Sequence, residues 1–298
     1  MSMLVRCRSC GGSAKFAFRT KDRNRRITDD EFSYYRCSVC GIIFLGSVPD
    51  NLGDYYPEDY YGGLPVSVQA LEASALQHEG YKIDLVKRVA HRGRLLEIGP
   101  SMGGFALLAR TAGYEVEAIE MDQRCCRFLN EIAAIKTIHA EDEVAALEQV
   151  DRADVIAMWQ VVEHLRNPLE LIRAASQKLR PGGGMVIAAP NPDSIQFRFF
   201  RGAWTHVDAP RHLCLIPLRL LRQELKALAM DIVLETTTDP GSLGWNEFGW
   251  KYSLSNFCSK PRPKQRAQAV GAWITQMIKP FEEAEHRGST YTVIARKA

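Results

Sequence analysis

The chain has 298 residues, 46% hydrophobic and 24% charged, with a formal net charge of +3; that is enough chain for one large α/β domain and a small module. No run of eighteen apolar residues occurs, which excludes a hydropathic transmembrane helix. The N-terminal MSMLVRCRSC lacks the apolar centre of a secretory leader, so a cytoplasmic protein is expected, and its eight cysteines point to metal or catalysis before disulfides.

Four of those cysteines form two matching knuckles, Cys7-Arg-Ser-Cys10-Gly11 and Cys37-Ser-Val-Cys40-Gly41, separated by 26 residues. Each places two thiolates on one tight turn, and two such turns supply the closed four-thiolate shell that structural zinc prefers. The first 46 residues therefore read as a zinc ribbon with short strands at Phe16–Phe18, Tyr34–Arg36 and Ile42–Phe44. Residues 1–46 carry nine Lys/Arg against four acids, an excess that reads either as a nucleic-acid footprint or as a solvated loop over Lys21–Arg26. The spacer after the ribbon is rich in turn formers and tyrosine (Tyr55, Tyr56, Tyr60, Tyr61) and should lie over the surface. A helix is expected from about Val68 to Ala90, with Ile83, Val86 and Val89 on its apolar stripe.

Arg94–Phe105 (RLLEIGPSMGGF) reads as a buried strand ending in an acid, a Gly-rich turn and an apolar helix start. Glycines let the backbone approach a ligand closely. A carboxylate (Glu97) before the first glycine would repel the pyrophosphate that such turns otherwise hold. The ligand should carry a positive amino group and no phosphate, a description that S-adenosylmethionine meets. The next strand, Tyr114–Glu120, ends in an acid 21 residues beyond Gly99, placed to accept both ribose hydroxyls. Asp122 is expected to cap the following helix. A third strand, Lys136–His139, precedes Glu141 and Asp142, and a fourth, Ala153–Gln160, runs into Val161-Val-Glu163-His164-Leu165. A helix over Leu169–Leu179 and the turn Arg180-Pro-Gly-Gly-Gly184 lead to strand five, Met185–Ala189.

Together, the Glu-x-Gly-x-x-x-Gly turn, the Glu-His-Leu segment and the Leu-Arg-Pro-Gly-Gly-Gly turn resemble the class I S-adenosylmethionine-dependent methyltransferases of the methyltransferase-23 and methyltransferase-11 groups over about residues 80–236, with a last strand near Thr290–Arg296. The resemblance implies an α/β, Rossmann-like seven-stranded sheet with helices on both faces. It implies cofactor contacts from Glu97, Gly99, Ser101, Gly103, Glu120, Met121, Trp159 and Gln160, with Glu141 or Asp142 meeting the adenine amino group. Ser101 stands where glycine is usual and should fit if its backbone angles are negative. The Glu163-His164 pair resembles the Glu-x-x-Glu-His segment of ubiquinone-type O-methyltransferases, which is associated with a divalent metal; Gln160 replaces its first glutamate.

On the acceptor side, histidine is poised near neutrality to remove a proton. His164 is one candidate; its alternative is a structural role. The long connection after strand five holds Trp204, His206, Asp208, Arg211 and His212, and resembles the acceptor lid of the methyltransferase-23 group, with His212 and His206 as bases or hydrogen-bond partners and Trp204 as a wall. Otherwise, His212 caps the helix after Pro217 (Leu218–Ala229). The insertion of about Asp239–Ser289 carries Val270, Trp273, Ile274, Met277 and Ile278 at helical spacing, and packing on the catalytic domain is the simplest reading. A subunit interface, or a site for an apolar acceptor or a membrane surface, is the alternative, given the basic run Lys260-Pro-Arg-Pro-Lys264. Cys125, Cys126, Cys214 and Cys258 have no metal spacing.

The expectation is thus a zinc ribbon (1–46), a linker and covering-helix start (47–79), and a methyltransferase domain (80–298) with an acceptor lid at 191–216 and a helical insertion at 239–289. Its function would be methyl transfer to oxygen or carbon of a small-molecule acceptor such as a sugar or isoprenoid. The alternative is a ribosomal- or transfer-RNA methyltransferase gripping RNA with the basic ribbon.

Overall fold

The computed structural model describes residues 5–57, 60, 65 and 67–298; Tyr61 of the spacer and the first four residues lie outside them. The ribbon begins with β1 (Val5–Arg6), β2 (Ser13–Lys21), β3 (Glu31–Cys37) and β4 (Ile43–Leu45), paired antiparallel in that order. The expected single helix is two, α1 (Val68–Glu79) and α2 (Tyr81–Val86), broken at Gly80. Gly80, a weak helix former, keeps helical angles but interrupts the hydrogen-bond ladder, and beyond it Leu85 and Val86 bury against the sheet while α1 rests on the helix that follows the first strand of the large sheet.

The large sheet then builds in alternation. The first strand is β5 (Gly93–Ile98), followed by α3 (Gly104–Thr111), β6 (Tyr114–Glu120), α4 (Gln123–Arg127), β7 (Lys136–His139), α5 (Glu143–Ala146), β8 (Ala153–Trp159), α6 (Pro168–Lys178) and β9 (Leu179–Pro190). The Gly-rich segment at 180–184 is not a free turn. It lies within β9, which starts at Leu179 opposite Ala153 and slips register before Gly184 meets Val155. After α7 (Ile195–Phe200), β10 (Cys214–Leu215) and α8 (Leu218–Ala227) come β11 (Met230–Thr236), α9 (Pro240–Ser255), α10 (Pro261–Glu283) and β12 (Thr290–Lys297). The sheet order is β11-β12-β9-β8-β5-β6-β7, parallel except for β12, which runs antiparallel between β9 and β11. Side-chain alternation sends Leu96, Ile98, Ile156 and Met158 to the face covered by α6 and α8, and Leu95, Val155, Ala157 and Trp159 to the face covered by α2 and α3. The strand order reverses between β5 and β8, and a crevice opens at the carboxyl ends of strands at such a point.

The ribbon is not held at arm's length. Its sheet takes a fifth strand, β10, from the segment beyond β9, with Cys214 opposite Phe44. Cys7, Cys37, Cys40, Ile42 and Phe44 share one core with α6 and α8. On the other side, Phe18, Tyr34 and Leu45 pack with Phe197, Trp204 and Trp250. Among the described residues, no helix is long and apolar enough to cross a membrane.

Candidate active site and cysteine cluster

The four knuckle cysteines converge. Cys7 and Cys40 Sγ lie 3.7 Å apart and Cys10 and Cys37 Sγ 3.4 Å apart, with all four sulfurs within 4.8 Å of one another. A tetrahedral shell with Zn–S of about 2.3 Å has edges of roughly 3.8 Å, so the four thiols fit zinc. Gly11 and Gly41, at φ 71 and 83, turn the chain around the cluster. Burial works against a thiolate at Cys37, but backbone N–H groups of Cys40 and Val39 aimed at its sulfur outweigh it and lower its pKa to about 6.

The second site is a cavity of about 1160 Å³ at the carboxyl ends of β5, β6 and β8. Small-molecule sites commonly span about 300–1,000 Å³, so this one has room for a cofactor and a second ligand. At one end Gly99, Ser101, Glu120, Met121, Glu141, Asp142, Trp159 and Gln160 line it; at the other stand His164, His206 and His212.

The cofactor end is shaped by backbone. Gly99 sits at φ 70, where a Cβ would meet Val161 Cγ2 at 2.6 Å. Ser101 does not take the negative angles expected of it. Its φ is 52, a left-handed conformation that costs a non-glycine residue about 1–3 kcal/mol. The conformation points its backbone N–H at Glu120 Oε2, 2.8 Å away, while Asp122 N–H donates to Oε1 at 2.8 Å. Gln160, at φ 56, is a second left-handed residue at the cavity wall. Asp122 caps α4 as expected, accepting from Arg124 and Cys125 N–H. Asp142 caps α5 through Ala145 N–H at 3.0 Å, which leaves Glu141 the less committed of the two acids.

Glu97 and Gly103 do not line the cavity. Glu97 is buried on the α2 face of β5, one Oε without a partner. Burial raises its pKa to about 8 even though Lys82 of α2 opposes the shift. Lys82 pairs with Glu79, and its ammonium lies 4.9 Å from the Trp159 ring centroid. Trp159 Nε1 is also buried without a partner. Unpartnered polar atoms beside a Gly-rich turn fit a ligand bearing both a carboxylate and an ammonium, as the amino-acid tail of S-adenosylmethionine does.

At the other end, His164 and His212 rings meet edge to face, centroids 4.6 Å apart. His212 Nδ1 lies 2.8 Å from the His206 carbonyl, and His164 Nδ1 3.2 Å from the Arg211 carbonyl and 3.0 Å from Tyr56 Oη. A carbonyl can only accept, so each Nδ1 carries the proton and each Nε2 is left as an acceptor. His212 therefore does not cap α8, whose N-cap receives no side-chain bond. Burial and the neighbouring imidazole lower the His164 pKa to about 3; burial also lowers that of His212. Glu163, which the sequence reading left out of the catalytic set, is fully buried with both carboxylate oxygens unpartnered, and burial raises its pKa to about 8. Glu163, His164 and His212 each bring a donor atom within 4.8 Å of the others, a carboxylate-imidazole set that could hold a divalent cation. The adjacency of Glu163 to His164 in a Glu-His pair was the available signal.

The segment at 191–216 forms a packed inner wall. Trp204, expected as a cavity wall, is buried beneath it and donates to Gln196; Trp245, Phe248 and Tyr252 of α9 line the cavity instead. The ribbon contributes as well. Asn24 and Arg25, from its β2–β3 loop, line the same cavity, and Asn24 Nδ2 donates to the Thr205 carbonyl at 2.8 Å and to Asp208 Oδ1 at 2.6 Å. No local sequence signal foretold this, because the contact joins positions 184 residues apart.

The methyltransferase-23 family, described as a methyltransferase domain, matches residues 75–234. A ubiquinone biosynthesis O-methyltransferase of Cereibacter sphaeroides is 31% identical over 39% of this chain and 47% of its own length. One from Bordetella bronchiseptica is 25% identical over 54% of this chain and 70% of its own. The chain spans about half the length of the first curated relatives it matches. A SAM-dependent methyltransferase structure from Archaeoglobus fulgidus superposes with a TM-score of 0.50 at 19% identity, covering 80% of this chain and 97% of that one. The cyclopropane synthase MmaA2 of Mycobacterium tuberculosis gives 0.50 at 13%, covering 74% and 84%. With a seven-stranded sheet of this order and a family match across more than half its length, the chain belongs to the methyltransferase-23 family of methyltransferase domains.

Proposed function

We propose that this protein methylates a hydroxyl of a small-molecule biosynthetic intermediate, with S-adenosylmethionine as donor and zinc held structurally by Cys7, Cys10, Cys37 and Cys40. The observation that carries the reading is the shared cavity: Glu120 and the Gly-rich turn at one end, Glu163, His164 and His212 at the other. When bound, S-adenosylmethionine supplies a methyl group on a positively charged sulfur. Glu120, already aimed by Ser101 and Asp122 N–H groups, would accept the ribose hydroxyls; Trp159 and the Gly-rich turn would border the charged tail, with Glu97 and Lys82 behind them; Glu141 would meet the adenine amino group. Four thiolates leave no open position on the metal, so its role is to fix the ribbon.

Transfer to a hydroxyl needs a group to take its proton. Glu163 suits the task, since a carboxyl titrating near 8 works closest to its operating pH. His164 and His212 are weaker bases and would orient the acceptor through their Nε2 atoms. Close positioning of nucleophile and methyl supplies much of the remaining acceleration. The relatives named ubiquinone biosynthesis O-methyltransferases support an oxygen acceptor. The 4.8 Å spread of the donor atoms favours a second reading of the same three residues, a divalent cation that lowers the hydroxyl's pKa. The RNA alternative draws no support from the basic loop: Arg25 donates to the Tyr60 carbonyl, and Arg26 to the Asn256 and Cys258 carbonyls.

The test is calorimetry with S-adenosylhomocysteine, then transfer of labelled methyl to a fractionated small-molecule extract or to RNA. Binding with label entering a small molecule is expected; no binding, or label only in RNA, overturns the reading. Turnover that survives a brief EDTA exposure leaving the ribbon zinc bound keeps the base mechanism, and turnover lost in that exposure and restored by magnesium, but not by zinc, selects the metal.

A further inference from the structure

The long helix α10 was expected to pack its apolar residues on the domain, and two of its six large ones, Ile274 and Ile278, do. Ile274, Thr275, Ile278 and Glu282 face inward, and Gly271 abuts the Lys251 backbone of α9. The others turn outward: Val270 is 50% exposed, Trp273 64%, Met277 58% and Phe281 62%. Their spacing of three and four residues places them on a single stripe. Single exposed hydrophobic residues are ordinary, whereas a row of four large ones on one helix marks an interaction surface. Continued toward the N-terminus, the same stripe passes through Arg266 and Arg262.

We infer that this face of α10 docks on an anionic lipid surface. The argument rests on charge. From Lys260 to Phe281 the sequence holds five Lys/Arg (Lys260, Arg262, Lys264, Arg266 and Lys279) and no Asp or Glu. A second copy packed antiparallel on the stripe would set Arg262 and Arg266 against Phe281 and Met277, and a parallel one would set like charges together; the stripe itself offers a carboxylate to neither, and of the acids that follow it Glu282 is buried and Glu283 pairs with Lys279. Anionic headgroups offer the missing negative charge, and they attract basic side chains held near the membrane surface. An apolar stripe carrying Trp and Phe beside basic residues is the composition of helices that lie in the membrane interface. The opposite side of α10 packs on α9, whose Trp245, Phe248 and Tyr252 line the cavity, so the docked face stands one helix layer from the site.

The experiment is co-sedimentation of the full chain with phosphatidylcholine vesicles, with and without phosphatidylglycerol, beside sedimentation equilibrium of the protein alone. Binding is expected only with the anionic lipid and should weaken with added salt. It should fall roughly tenfold or more in Trp273→Ser/Phe281→Ser and in Arg262→Gln/Arg266→Gln, all exposed positions whose loss leaves the core intact. Absence of sedimentation with anionic vesicles overturns the inference, as does binding unchanged in both double variants. A dimer dissolved by Trp273→Ser with no vesicle binding assigns the face to a second copy instead.

Discussion

Arg211 and Asp22, 189 residues apart, form a fully buried ion pair, Nη2 to Oδ1 at 2.7 Å. The same guanidinium takes Asp208 at 2.8 Å and the Tyr55 carbonyl at 3.2 Å, so one side chain ties the ribbon loop, the spacer and the cavity wall together. Burial alone would raise the Asp208 pKa, but hydrogen bonds and charge from Arg211 hold it down at about 2. Removing one partner of a buried pair costs about 3–5 kcal/mol. Asp22→Ala, which leaves Asp208 in place, should sit at or below the low end of that range. Arg211→Leu, which strands two buried acids, should be worse. Urea denaturation checks the order; equal losses would show that the network does not couple the two modules.

The zinc proposed for the ribbon should matter to the acceptor more than to the cofactor. Asn24 and Arg25 line the cavity, whereas among the described residues none of the ribbon lines its cofactor end. Cys37→Ser, or prolonged chelation, should lower thermal stability and raise the acceptor KM, with S-adenosylhomocysteine affinity within about twofold of the wild type once the fold is confirmed. A parallel loss of both affinities would contradict this division.

Cofactor affinity should depend on Glu120 and on Gly99 for different reasons. Glu120→Ala removes charge-assisted hydrogen bonds, each about 1.5–3 kcal/mol, so calorimetry should show S-adenosylhomocysteine binding weakened at least tenfold. Gly99→Ala places a Cβ 2.6 Å from Val161 Cγ2 at a φ of 70; it should cost stability as well as affinity. Wild-type affinity in both would remove the cofactor from this end of the cavity.

Glu163 and Glu97 tie stability to pH. Burial holds both near 8, against 4.5 for an ordinary glutamate. Between those values the unfolded chain releases protons that the folded chain keeps, so stability of the ligand-free protein should fall as pH rises from about 4.5 to about 8, by at most about 5 kcal/mol per carboxyl. Glu163→Gln should flatten part of that slope. Its turnover should drop roughly a hundredfold or more and lose the rise toward pH 8 expected of a base. A pH profile unchanged in the variant would exclude Glu163 as that base.

Elements set by neighbours in the chain were legible without coordinates: the two knuckles, the Gly-rich turn, the acid ending β6, the Asp122 cap and the alternation of strands and helices. Each depends on local spacing, on periodicity or on a backbone angle that few residues adopt. Tertiary packing decided the rest. It forced Ser101 into a left-handed angle because its N–H meets Glu120, and it sank Trp204 beneath the wall where Trp245 was needed. It also stripped both oxygens of Glu163 of partners and turned four of α10's six large apolar residues outward. The ribbon read as a separate module because its cysteine spacing is self-contained. In the folded chain β10 completes its sheet and Arg211 its charge, contacts that close over more than 150 residues and leave no periodic trace in the sequence.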